Sequence, residues 1–246
     1  AKTIKTGGAV RVASLSLMPH RKICAGSKAA GCFETCLKSS GRGAFTNVAN
    51  ARQAKTDFYL TDRTGFLDQL RTELFNFDKL CKRQKVAGWV RLNTISDIDY
   101  ENHGIPQAFP ALNFYDYTKR ADRLGRTPSN YQLIFSYSGR KQYQKSVDKR
   151  PRHVPMAVVF RNELPQYWNG QLVIDGDLSD IVNVKAGGVI VGLRAKGKAK
   201  RDRSGFDYDF DKVELELYRT SIDFRNGLNR NAEQWALNLR DAWANG

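Results

Sequence analysis

The sequence predicts an α/β protein built as a partial, irregular (β/α) barrel of mainly parallel strands, followed by a C-terminal strand and helix extension. Three observations carry that prediction. Seven short apolar runs are each followed at once by polar or charged side chains, and polar groups at the C-terminal ends of parallel strands are where such sheets bind ligands. Several runs are apolar on consecutive residues, as strands buried on both faces are, with intervening segments long enough for crossovers. After residue 205 the pattern changes to strict alternation and then to a terminal helix.

The first run covers residues 9–17 and leads directly into a cysteine-rich loop. Beyond it, Leu67, Leu70, Leu74, Phe77 and Cys81 recur at intervals of three and four, the apolar stripe of an amphipathic helix that Thr61 or Asp62 can cap. Cys81 falls on that stripe and reads as a small core side chain. Residues 88–92 then lead into Asn93, Ser96, Asp97 and Asp99, and residues 112–115 into Asp116, Tyr117 and Lys119. Residues 131–135 precede Ser136 and Ser138, and residues 156–160 precede Arg161. The last two runs, 172–174 and 189–193, lead into Asp175, Asp177 and Asp180 and into Arg194 and Lys196. Short spans at 101–109 and 163–170 leave little room for helices, so an open barrel fits better than a complete eightfold one. An alternating strand at 213–218 and a helix at about 231–243 complete the chain. No linker or low-complexity block divides its 246 residues; a single domain is expected, with its barrel core at about 9–200 and its extension at about 205–246.

Cys24, Cys32 and Cys36 are the strongest chemical signal. Three thiolates so close in sequence converge on one metal centre at little loop-closure cost. The spacing Cys-x7-Cys-x3-Cys is not that of a zinc ribbon and leaves a fourth ligand unassigned. Three thiolates suit a 4Fe–4S cluster with one iron open, whereas a Cys3His zinc site needs His20 or His103 as well. The position after the first strand favours the cluster, because an open iron at the mouth of a parallel barrel can bind a cofactor. Asn93, Asp97, Asp116, Lys119, Asp175, Asp177, Arg194 and Lys196 are the candidate ligand basin beside it, gathered from the ends of several strands.

The formal charge of +15, from 40 Lys and Arg against 25 Asp and Glu, points to an anionic partner, DNA or RNA first among them. Lys198, Lys200 and Arg201 lie in the densest basic run and are the candidate phosphate contacts. Asp175, Asp177 and Asp180 offer the alternative of a divalent metal for nuclease chemistry, against a plain role in capping the turn at Gly176. Ser40-Gly-Arg-Gly43 reads either as a phosphate cradle or as a turn before a helix. The three histidines show no metal-pair spacing. The absence of a long apolar run or signal core, and too few cysteines for a disulfide framework, predict a soluble protein of the cytoplasm with reduced thiols and no membrane association.

Residues 36–45 (CLKSSGRGAF), 90–98 (VRLNTISDI), 114–119 (FYDYTK), 173–177 (VIDGD) and 188–197 (GVIVGLRAKG) resemble the phage gene product 88 domain family over roughly residues 10–200. The resemblance implies a bacteriophage or prophage origin and an intracellular, early-type protein of the infected host cell's cytoplasm. A second resemblance is to radical S-adenosylmethionine enzymes. That family has a partial (β/α) barrel and holds a 4Fe–4S cluster with three cysteines in the loop after its first strand, although at the narrower spacing Cys-x3-Cys-x2-Cys. It implies S-adenosylmethionine as cofactor, with residues 188–192 (GVIVG) similar to its adenine-contacting strand; joined to the basic charge, it gives the expectation of an enzyme acting on a nucleotide or nucleic acid. The alternative expectation is a nucleic-acid-binding protein in which the cysteines hold a structural metal.

Overall fold

A computed structural model describes residues 9–39, 41–161 and 163–208. The chain divides into two compact units, Ala1–Tyr208 and Asp209–Gly246. The strand expected at 213–218 and the helix expected at 231–243 lie outside the described residues.

All seven expected strands form: β1 (Val10–Ser14), β2 (Ala87–Arg91), β3 (Asn113–Thr118), β4 (Tyr131–Ser136), β5 (Met156–Phe160), β7 (Gln171–Asp175) and β8 (Ile190–Arg194). A two-residue strand, β6 (Tyr167–Trp168), was not expected; it makes an antiparallel hairpin with β7 through Asn169 and Gly170, both at positive φ, as a tight hairpin turn requires. The remaining pairings are parallel. The spatial order is β1-β2-β3-β4-β5-β8-β7-β6. It begins as a barrel would, each strand beside its predecessor, but the described strands form an open sheet rather than a closed barrel. The departure is the exchange of β7 and β8.

That exchange has a structural consequence. From β1 to β5 the chain advances in one direction, and right-handed crossovers place the connecting helices on one face. There α2 (Thr46–Thr61) and α3 (Arg63–Gln84) cover a core of Tyr59, Phe66, Leu70, Leu74, Val90, Leu92, Phe114 and Leu133. Between β7 and β8 the direction reverses, so the same handedness carries α5 (Asp180–Lys185) to the opposite face. Its Ile181 and Val184 pack there with Trp89, Tyr115, Ile134 and Val191. Helix α3 begins as the stripe predicts: Asp62 accepts a hydrogen bond from the Gly65 amide at 2.9 Å, and Leu67, Leu70, Leu74 and Cys81 are buried. The shorter α1 (Ser27–Ala30) and α4 (Gln144–Asp148) sit in connecting loops. Residues 41–44 form a 3-10 turn leading into α2, the turn reading of the glycine segment. Among the described residues no helix is long and apolar enough to cross a membrane.

Candidate functional site

Strand register decides which side chains meet. Along β2, Val90 and Leu92 pack under α3 while Trp89 faces α5, so Arg91, in step with Trp89, belongs to the α5 face. The same alternation puts Tyr115 and Tyr117 of β3 on that face. At the carboxyl ends of the strands this face opens into a cavity of about 410 Å³. The loop after β1 closes one wall with Cys24, Cys32 and Cys36, and Arg91, Lys119, Leu193 and Asp180 come from the sheet and α5.

All three cysteines are only partly exposed. Burial pushes the Cys24 thiol up to about 12 and raises those of Cys32 and Cys36, since a thiolate loses more hydration than a thiol does. Two of them feel another electrostatically: Cys32 and Cys36 raise Cys24, and Cys32 raises Cys36. Cys81 is buried on α3, against Gly88, and does not line the cavity. His20, His103 and His153 are likewise absent from its lining. Among the described residues no three His, Cys, Asp or Glu side chains converge closely enough to hold a single metal ion.

Six of the eight basin residues read from the sequence line this cavity: Asn93, Asp97, Lys119, Asp177, Arg194 and Lys196. Two do not. Asp116 lies behind the wall, fully buried, because its position on β3 points it toward the helix-covered face, where Tyr131 donates to it at 2.8 Å and the Asn93 amide at 2.7 Å. Burial pushes its carboxyl up to about 6. Asp175 instead accepts a hydrogen bond from Arg194 at the rim, at 2.9 Å.

The six differ in what their polar atoms are doing. Asp97 accepts from Thr118 Oγ1 at 2.8 Å, the Lys119 amide at 2.8 Å and Arg123 Nη1 at 2.6 Å. Arg123, itself almost wholly buried, also donates to both oxygens of Glu101, at 2.7 and 2.8 Å. Asn93 Oδ1 accepts from Ser96 Oγ and the Ile98 amide, and its Nδ2 donates to the Ile98 carbonyl. Asp97 and Asn93 therefore tie the ends of β2 and β3 together. Lys119 is different: its Nζ donates to the Ser136 and Tyr137 carbonyls at 3.0 and 2.6 Å and lies 4.8 Å from the Phe206 ring centre. Burial lowers its ammonium to about 8, with Cys32 and Asp97 pulling the other way.

At the rim, Lys196 pairs with Asp177 at 2.7 Å. The divalent-metal arrangement of Asp175, Asp177 and Asp180 is not assembled, because Asp180 turns inward to Arg91 and Tyr117 while the other two meet Arg194 and Lys196. Lys198, Lys200 and Arg201 are exposed on a 3-10 turn, Gly197–Arg201, packed against Leu37–Ser39 at the end of the cysteine loop. Sequence reading missed Arg91 as a site residue. Its one signal was a charged residue inside an otherwise apolar buried run.

Comparison with curated proteins and with solved structures gave no significant match. The gene product 88 family matches residues 1–209 of the 246, so the chain belongs to that family of bacteriophage gene products.

Proposed function

We propose that this phage protein holds a 4Fe–4S cluster on Cys24, Cys32 and Cys36 and acts on a nucleotide or nucleic acid. The observation that supports the reading most directly is that three thiols from one loop share the wall of a single cavity at the carboxyl edge of a parallel sheet. The donor set fits. Thiolates are soft ligands for iron–sulfur clusters and zinc alike, but cluster ligands bind separate irons and stand farther apart than the ligands of one ion. Among the described residues no histidine lines the cavity to complete a Cys3His zinc site. With three protein ligands such a cluster leaves one iron for an exogenous ligand, for which S-adenosylmethionine is the candidate, and supplies one-electron chemistry.

The chain's own groups have definable parts in this reading. Desolvation holds the three thiols protonated near neutral pH when no metal is present, so loading must expel their protons. Lys119, positively charged beside Cys32, offsets part of the resulting negative charge. Asp97 and Asn93 keep the loop at 93–97 in place as the cavity floor. The basic turn carrying Lys198, Lys200 and Arg201 packs against the end of the cysteine loop, so a polyanion held there is brought to the site.

Anaerobic purification with iron, sulfide and zinc analysis tests the proposal. About four irons per chain with matching sulfide, lost when Cys32 is replaced by serine, is the expected result. Stoichiometric zinc without iron would establish the second reading, a nucleic-acid-binding protein with a structural metal, which the exposed basic turn favours.

A further inference from the structure

We propose that the cavity receives an oxyanion, a carboxylate or a phosphate, on the Nε and Nη2 edge of Arg91. Arg91 lines the cavity, yet among the described residues its guanidinium makes one hydrogen bond, from Nη1 to Asp180 at 3.0 Å. Its Nε is buried with no partner. A buried donor left without a partner is destabilising, and Nε and Nη2 together form the side-on fork that matches the two oxygens of a carboxylate or phosphate.

The fork is held in position before any ligand arrives. Asp180 fixes one end of the guanidinium, and Tyr117, 4.8 Å from the guanidinium carbon to its ring centre, lies against its face. Tyr117 in turn donates to Asp180 at 2.9 Å. Ser179 caps the start of α5, and Ile181 and Val184 pack that helix against the sheet.

Charge accounting leaves room for an anion. Asp180 is paired with Arg91, Asp97 with Arg123, and Asp177 with Lys196. Lys119 remains a cation whose ammonium, among the described residues, donates to the Ser136 and Tyr137 carbonyls and to no carboxylate. The inference rests on the cavity being a ligand site, as proposed above, but not on any metal.

The test uses metal-free full-length protein, so that failure of the cluster reading leaves it intact. Adenosine 5′-monophosphate against adenosine examines a phosphate source, and N-acetylmethionine against N-acetylmethioninamide a carboxylate source, by calorimetry. The Arg91 Nε–H resonance of the unmodified protein is followed by NMR in the same titrations. At least one acid should bind more tightly than its neutral analogue, shift that resonance, and lose about tenfold or more in affinity in Arg91→Lys, which keeps the charge but not the fork. Whichever pair shows the difference identifies the source. The inference is overturned if neither acid outbinds its neutral analogue, if the resonance does not move, or if Arg91→Lys binds within about twofold of the parent.

Discussion

Replacing Asp97 by alanine should destabilise the unit far more than loss of an ordinary cavity side chain. The carboxylate receives hydrogen bonds from Arg123 at 2.6 Å, Thr118 at 2.8 Å and the Lys119 amide at 2.8 Å, and both it and Arg123 are buried. Removing one partner of a buried ion pair costs about 3–5 kcal/mol. Glu101 still holds Arg123, which offsets part of that, while the stranded Lys119 amide adds about 1–3 kcal/mol. A net loss of about 3–5 kcal/mol follows, and with a urea m-value of about 2–3 kcal/mol per molar the midpoint falls by about 1–2.5 M. Urea denaturation followed by circular dichroism, with Asp177→Ala as a rim control, measures it. Asp177 faces Lys196 at the exposed rim, where an ion pair contributes about 0–1 kcal/mol. Equal, small shifts in the two variants would refute the tie between β2 and β3 and return Asp97 to the role of a ligand contact.

Other outcomes follow from the same geometry. Single serine substitutions at Cys24, Cys32 and Cys36 should abolish metal retention and Cys81→Ser should keep it, while metal affinity of the parent should rise with pH through the neutral range because the raised thiols must lose protons; metal analysis across pH reads both. Alanine at Lys198, Lys200 and Arg201 together should flatten the log–log salt dependence of nucleic-acid binding by about 2–3 units if all three meet phosphates. Gly88→Ala should cost about 1–3 kcal/mol in urea denaturation, since a Cβ there would stand 2.5 Å from Leu112 Cδ2 and 3.0 Å from Cys81 Sγ. Asp116, raised from 3.8 to about 6 in the folded protein, holds its proton in the fold where the unfolded chain has released it. Its contribution to stability therefore falls as pH rises from about 4 to 6, by up to about 3 kcal/mol, and Asp116→Asn should remove that slope from the pH–stability curve.

Local pattern was enough for much of this protein. The seven apolar runs became strands because consecutive branched and aromatic side chains suit a sheet covered on both faces, and the stripe from Leu67 to Cys81 became α3 because its spacing matches a helical face. The placement of Cys24, Cys32 and Cys36 after the first strand was also legible, being a matter of order along the chain. Helix α2 was not visible as a stripe: among its described side chains only Thr56 and Tyr59 are buried, too few to mark a period. Strand β6 is two residues long, too short for one.

Tertiary structure alone decided the rest. The exchange of β7 and β8 depends on which edge each strand meets, a non-local choice that their similar apolar composition does not encode, and it is this exchange that brings α5 and Asp180 to Arg91. Strand register then sorted the polar residues near the strand ends. Asp116 and Arg91 each sit beside apolar neighbours in a strand, but one-residue alternation sends Asp116 into a buried network and Arg91 toward the cavity. Asp97 looked like a ligand group because sequence shows a charge at a strand end, while only folding brings up Arg123, 26 residues later, to consume it.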